Sequence, residues 1–187
     1  MRHRYPKLII ILGYNGTGKT TLAKKLLLSE LKKKDGRGLV VTPDDIEWGT
    51  LQEVSGRFPD RIESYVKARK LIYYDGCLLD IQNNFRKGLL IFDDIRAYST
   101  AMTPQDLHNL LIRRRQKEID IICVGHGFTE VPPKFFTFAS EIILFNTKDN
   151  ISMRKDVLKD FEKMEEAQKR VNEKALNDPY YFEIIKQ

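Results

Sequence analysis

The residues from Gly13 to Thr20 have the types and spacing needed to bind a nucleotide phosphate. They read GYNGTGKT, which fits the pattern G-x-x-x-x-G-K-[ST], and they lie between an apolar run and a helical pattern. In such a loop the backbone amides surround a phosphate, the lysine reaches the terminal phosphates and the last hydroxyl binds Mg²⁺. An ordinary glycine turn is the alternative. The predicted phosphate-binding residues are Gly13, Asn15, Gly16, Thr17, Gly18, Lys19, Thr20 and Thr21, with Thr20 also a metal ligand.

Two adjacent carboxylates, Asp93 and Asp94, follow the apolar run 89–92. An acidic residue at the end of such a strand is placed to hold Mg²⁺ opposite Thr20, either directly or through water. Its neighbour Asp94 is then the candidate for orienting or deprotonating an attacking water, a role that more often belongs to glutamate. An acidic pair that merely ends a strand is the alternative. With the loop, this pair predicts a Mg²⁺-dependent ATPase in which Lys19 and Asp94 are catalytic.

Five short apolar runs predict strands that are buried on both faces of a sheet. Most are rich in isoleucine or valine, as parallel strands covered by helices should be. The runs are 7–12, 38–42, 88–92, 120–124 and 141–145. Because helical stretches separate the strands, we expect a three-layer α/β/α fold with a mainly parallel five-stranded sheet and with ligands at the carboxyl ends of the strands.

Apolar residues at helical spacing and capping signals predict four helices. They span 18–34, 60–84, 103–116 and 150–175, and Gly76 could divide the second of them in two. The aromatic residues 180–182 fit either a short edge strand or a docking tail. We therefore expect an ATPase core over 1–147 and, over 148–187, a C-terminal helix and aromatic tail that pack on it as part of a single domain.

Composition and charge narrow the class of protein. The chain has 187 residues, of which 42% are hydrophobic and 31% charged, and this suits one soluble globular domain without a membrane span. Two cysteines without metal-ligand spacing suit a reducing cytosol. Residues 1–42 contain ten Lys or Arg and two acidic residues. This basic excess fits a nucleic-acid contact, although lysines at a helix end are an equally open explanation.

The order of these motifs resembles the FtsK and HerA superfamily of P-loop ATPases, which includes DNA pumps and viral genome-packaging motors. The resemblance covers roughly residues 7–147. It rests on the phosphate loop, the acidic strand end, a helix that ends in arginines, the run 119–126 that ends in His126, Val131-Pro132-Pro133, and the run 139–145. It implies a RecA/FtsK-like sheet, ATP and Mg²⁺ as cofactors, and DNA as the polymer that is moved. It also implies a ring-shaped homo-oligomer in the cytoplasm, or in the host cytoplasm if the protein is viral.

The resemblance also implies roles for residues that the motifs alone do not define. His126 occupies the place of a polar residue that senses the terminal phosphate. The cluster Arg113-Arg114-Arg115 resembles the segment that presents an arginine to a neighbouring subunit's nucleotide. The same arginines could instead form a solvated helix end or a DNA contact.

Two other functions remain open from the sequence. The first is a small kinase acting on a nucleic-acid end or a small-molecule hydroxyl. In that case Asp44 or Asp45, at the end of the second predicted strand, would be the general base for the acceptor hydroxyl. The second is a module that closes on ATP and recruits a partner without turnover. Phosphate transfer to an acceptor, or binding without hydrolysis, would distinguish these functions from that of an ATPase.

Overall fold

The computed structural model describes residues 5–54 and 67–187. Its centre is a seven-stranded sheet in the order β3-β2-β4-β5-β1-β6-β7, in which β1 to β6 pair in parallel and β7 is antiparallel to β6. The strands are β1 Leu8–Leu12, β2 Gly38–Thr42, β3 Ala68–Ile72, β4 Gly88–Phe92, β5 Ile119–Gly125, β6 Glu141–Phe145 and β7 Phe182–Lys186.

Five α-helices are described. They are α1 Lys19–Leu31, α2 Cys77–Asn84, α3 Pro104–Arg113, α4 Pro133–Phe138 and α5 Phe161–Lys174, with single 3-10 turns at Ile95–Ala97 and Ile151–Arg154. Side-chain caps fix the starts of two of them. Thr103 accepts a hydrogen bond from the Asp106 amide ahead of α3, and Asp160 accepts one from the Lys163 amide ahead of α5.

The helices cover both faces of the sheet. On one face α1 contacts β2, β4 and β5, and its Ala23 and Leu27 pack with Ile11, Val40 and Ile122. On the other face α2, α3, α4 and α5 share a larger core with the alternate strand residues. Because strand residues point alternately to the two faces, both faces are apolar. This confirms the predicted three-layer α/β/α fold with a mainly parallel sheet.

The predicted number of strands was wrong. The stretch 60–84 was expected to be helical, yet its residues 68–72 form the edge strand β3 and only 77–84 form a helix; residues 60–66 lie outside the described part. Gly76, with a φ of 94°, does separate the two elements. The reason for the error is that β3 reads ARKLI and its buried Lys70 forms an ion pair with Asp45, so the strand lacks an apolar signature.

The C-terminal segment differs from the prediction in a similar way. The expected helix 150–175 begins only at Phe161, after a 3-10 turn. The aromatic residues 180–182 were expected to form either an edge strand or a docking tail. They lead into the edge strand β7, which pairs with β6 from Glu141↔Lys186 to Phe145↔Phe182. Between residues 5 and 54 and between 67 and 187, the structure contains no helix long and apolar enough to cross a bilayer.

Candidate functional site

The phosphate loop connects the carboxyl end of β1 to the start of α1. Gly16 and Gly18 have φ angles of 78° and 92°, which residues with a side chain rarely adopt. A Cβ atom on Gly13 would lie 2.5 Å from the Phe145 Cβ, so the loop also passes too close to β6 for any other residue. The Tyr14 amide donates a hydrogen bond of 2.9 Å to the Asn146 carbonyl, which ties the loop to the end of β6.

Lys19 is the first residue of α1 and is only 7% exposed. Its Nζ donates to the Tyr14 carbonyl across the loop at 2.7 Å. Burial lowers the pKa of this amine, and the nearby carboxylates of Asp93, Asp94 and Glu130 oppose that shift. A buried cation beside a glycine-rich loop at the start of a helix is an arrangement suited to a polyanionic ligand.

Asp93 follows β4 directly and is 5% exposed. The indole Nε1 of Trp48 donates to its Oδ2 at 2.6 Å, and the Tyr98 hydroxyl donates to its main-chain oxygen at 2.8 Å. Burial raises the pKa of the Asp93 carboxyl, while the bond from Trp48 opposes the rise. Trp48 therefore orients this carboxylate, and Tyr98 holds the main chain that carries it at the carboxyl end of β4.

Asp94 adopts a left-handed backbone conformation with φ 43° and ψ 57°. Its Oδ1 lies 3.3 Å from His126 Nε2 and 3.8 Å from Arg96 Nε. Burial lowers the pKa of His126, as does the Lys19 ammonium, whereas Asp94 opposes both effects. The lowered pKa favours the neutral imidazole, which contacts Asp94 as a polar group.

Two glutamates at the site were missed by the sequence analysis. The Glu130 carboxylate accepts the His126 amide at 3.2 Å and lies 3.6 Å from Arg96, so it supports both neighbours of Asp94. Glu47 comes after β2 in the chain, lines the cleft and forms an ion pair of 3.5 Å with Lys24. Neither residue belongs to a motif, and only the folded chain brings them to the phosphate loop.

These groups surround one open cleft of about 560 Å³ at the carboxyl ends of β1, β4 and β5. Its lining includes most of the predicted phosphate-loop residues, together with both predicted acids and the predicted sensor. The residues are Asn15, Gly16, Gly18, Lys19, Thr20, Thr21, Glu47, Asp93, Asp94, Val124, Gly125, His126 and Tyr180. The cleft can therefore accommodate a triphosphate between the loop and the carboxylates.

The oxygen ligands at this cleft fit one magnesium ion that a bound phosphate would also coordinate. Thr20 and Asp93 offer a hydroxyl and a carboxylate, which are hard oxygen ligands, and Mg²⁺ commonly combines one or two carboxylates with substrate phosphates. In the described part of the chain, no group of three or more His, Cys, Asp or Glu side chains could hold a metal without such a ligand.

The predicted arginine cluster lies away from this cleft. It begins at the last residue of α3 and precedes the amino end of β5, whereas the phosphate loop lies at the carboxyl ends of the parallel strands. Arg113 and Arg115 are exposed, but Arg114 is 4% exposed and donates to the Leu111 carbonyl at 2.6 Å. Its guanidinium also contacts the Phe138 ring at 5.7 Å. These contacts commit Arg114 to its own chain and leave its two neighbours accessible to another molecule.

The two aspartates proposed as a kinase base do not line the cleft. Asp44 accepts a hydrogen bond from the Ile46 amide at 3.0 Å within its own turn. Asp45 forms an ion pair with the buried Lys70 of β3. Both carboxylates thus stabilise the turn after β2 and the edge of the sheet.

No protein-family model matches the sequence, and no curated protein matches it. Several solved structures share its fold. The genome packaging NTPase B204 from Sulfolobus turreted icosahedral virus 2, in complex with AMP, is 16% identical with a TM-score of 0.76 over 97% of this chain and 92% of that chain.

Two further structures extend the comparison. The DNA-packaging ATPase B204 from Sulfolobus turreted icosahedral virus is 19% identical, with a TM-score of 0.69 over 98% of this chain and 94% of that chain. The N-terminal domain of zonular occludens toxin from Neisseria meningitidis is 15% identical, with a TM-score of 0.52 over 78% and 79% of the two chains. The chain therefore has the P-loop NTPase fold.

Proposed function

We propose that this protein is a Mg²⁺-dependent ATPase that uses ATP hydrolysis to move DNA, as in genome packaging or translocation. The observation that carries the proposal is that Lys19, Asp93 and Asp94 meet at one cleft with the phosphate loop. This set supplies the anion contacts, a metal-binding carboxylate and a second carboxylate that hydrolysis requires.

The loop and Lys19 bind and orient the phosphates. Amides from Asn15 to Thr20 and the Lys19 ammonium neutralise charge on the transferring phosphoryl group, in a site where burial strengthens each interaction. On binding, the Lys19 amine exchanges its bond with the Tyr14 carbonyl for one with phosphate oxygens. Bound Mg²⁺, held by Thr20 and Asp93, would supply further charge neutralisation.

Asp94 orients the attacking water and accepts its proton. His126, 3.3 Å from the Asp94 carboxylate, and Arg96, 3.8 Å from it, are the polar side chains next to that carboxylate. His126 contacts Asp94 and also lines the cleft. A bound terminal phosphate can therefore shift the His126 side chain and, through it, the Asp94 carboxylate. Glu130 positions His126 and Arg96 in turn.

DNA as the moved polymer is supported by the structures that share the fold, since one is a DNA-packaging ATPase and another, TcpA of pCW3, is a conjugation coupling protein. The basic excess of residues 1–42 agrees with a polyanionic partner. Arg113 and Arg115 lie too far from their own cleft to act in it, so we propose that one of them serves a neighbouring subunit in a ring-shaped homo-oligomer. The expected location is the cytoplasm, or the host cytoplasm for a viral protein.

The test is ATP turnover with and without single- and double-stranded DNA, combined with the particle mass in the presence of nucleotide. We expect DNA to accelerate turnover and nucleotide to promote a ring. The Lys19→Ala variant should lose both ATP affinity and turnover. A monomer whose turnover is indifferent to DNA would overturn the motor, and phosphate transfer to an added acceptor would establish the kinase instead.

A further inference from the structure

A second cavity of about 490 Å³ adjoins the phosphate cleft on the side of β6 and β7. It shares Gly18, Thr21 and Tyr180 with the phosphate cleft, so the two spaces lie side by side. Its remaining lining is largely apolar and comes from the start of α1 and from the last two strands. Those residues are Thr17, Leu22, Lys25, Phe145 and Phe182.

The order of strands decides which part of a nucleotide this cavity faces. The carboxylates of Asp93 and Asp94 end β4, which lies on one side of β1, whereas β6 and β7 lie on the other side. A triphosphate in the loop places its terminal phosphate toward the carboxylates, so its sugar and base must extend in the opposite direction. Thr21 lines both spaces and marks the passage between them.

Tyr180 forms the wall between the two spaces. A Cβ atom on Gly18 would lie 3.3 Å from the Tyr180 Cδ1, so the edge of the ring rests against the phosphate loop. The Tyr180 amide donates to the Asp178 carboxylate at 3.0 Å, which fixes the turn that carries the ring. Even so, 64% of the residue is exposed, and no aromatic ring or cation of the described residues stacks on it.

The floor of the cavity is aromatic and rigid. Phe145 is 2% exposed, and its ring centroid lies 5.0 Å from that of Phe182, at an interplanar angle of 43°. Lys25 adds a donor at the edge of this space. Ligand pockets combine apolar and aromatic walls with a few polar groups, and this volume is of the ordinary size.

We propose that this cavity binds the nucleobase of the nucleotide, with a purine ring stacked on the face of Tyr180 and with Lys25 at its edge. The proposal rests on the ATPase proposed above for the phosphate part of the site. It assigns the segment before β7 to nucleotide recognition, and not to the recruitment of a protein partner.

The test compares ATP with inorganic tripolyphosphate, which lacks sugar and base, by calorimetric titration in Mg²⁺ on the full chain. Loss of one aromatic stacking partner weakens base binding by roughly tenfold. We therefore expect Tyr180→Ala to weaken ATP binding roughly tenfold and to leave tripolyphosphate binding unchanged, with Tyr180→Phe close to wild type. Leu176→Ala is the control, because Leu176 is 85% exposed and lies in the same segment as Tyr180, yet lines neither the phosphate cleft nor this cavity.

Equal loss of ATP and tripolyphosphate binding in Tyr180→Ala would overturn the proposal, because the ring would then act through the phosphate loop. Unchanged ATP binding would overturn it as well. Photolabelling with an azido-adenine nucleotide provides a second measurement, and we expect the label on the tryptic peptide 175–186. If the rate of ATP turnover does not change when DNA is added, the proposed motor function is refuted, but the proposed nucleobase site is not.

Discussion

The hydrogen bond between Trp48 and Asp93 provides a quantitative test of how the site is built. Both residues are buried, at 2% and 5% exposure, and the bond of 2.6 Å joins an N–H donor to a carboxylate. Hydrogen bonds to charged groups contribute about 1.5–3 kcal/mol. Replacing Trp48 by Phe removes the donor and leaves the carboxylate in place. We expect the free energy of unfolding to fall by at least about 2 kcal/mol, since lost packing adds to the effect.

A double-mutant cycle with Asp93→Asn separates the hydrogen bond from the packing. The packing cost of Trp48→Phe is common to both backgrounds, whereas a bond to a neutral amide oxygen is about half as strong as one to a carboxylate. The substitution should therefore cost about 1 kcal/mol less in the Asp93→Asn background. Urea unfolding followed by circular dichroism measures all four proteins, including those that lack the single tryptophan.

Nucleotide binding gives the functional half of this test. If Trp48 orients the carboxylate that holds the metal, Trp48→Phe should weaken ATP binding in Mg²⁺ more than in its absence. A coupling energy of zero between Trp48 and Asp93, together with equal effects at both Mg²⁺ conditions, would refute the idea that the indole positions this carboxylate.

Three further predictions address the water-orienting group, the loop and the cysteines. Asp94→Asn should retain ATP binding and lose turnover by at least about 100-fold, whereas Glu47→Gln should lose only a few-fold; the reverse order in a turnover assay would assign the role to Glu47. Gly13→Ala should lower the free energy of unfolding by about 1–3 kcal/mol, because the added Cβ would collide with β6. Gly76→Ala should lower it less, because the Cβ added there meets open space, and thermal unfolding of both variants measures the difference. Burial raises the pKa of the Cys77 thiol to about 12, and Cys123 is buried as well. Both cysteines should therefore resist a thiol reagent at pH 8 until urea unfolds the chain, and rapid labelling of the native protein would contradict this.

The parts of the fold that the sequence predicted are those with strong local patterns. The runs that became β1, β2, β4, β5 and β6 are apolar because helices cover both faces of the sheet, and their positions agree with the structure to within about a residue. The edge strands β3 and β7 contact one neighbouring strand each. They carry charged residues that local patterns do not associate with a sheet.

The candidate site divides in the same way. The phosphate loop and the acid pair were visible because each is contiguous in the chain and follows a strand. Glu47, Glu130 and Tyr180 reach the cleft from separate segments, and no spacing rule connects them. The burial of Arg114 could not be foreseen either, since it depends on the Phe138 ring of another helix.

The left-handed backbone at Asp94 places the proposed water-orienting carboxylate at a position that lowers the stability of the chain. A non-glycine residue in this conformation costs about 1 kcal/mol relative to glycine, which adopts it freely. A glycine there would thus relax the chain and raise its melting temperature, while deleting the carboxylate that we propose orients the attacking water. If that proposal holds, a screen for thermal tolerance alone would enrich a variant without turnover, so laboratory evolution of the protein needs turnover as a second criterion.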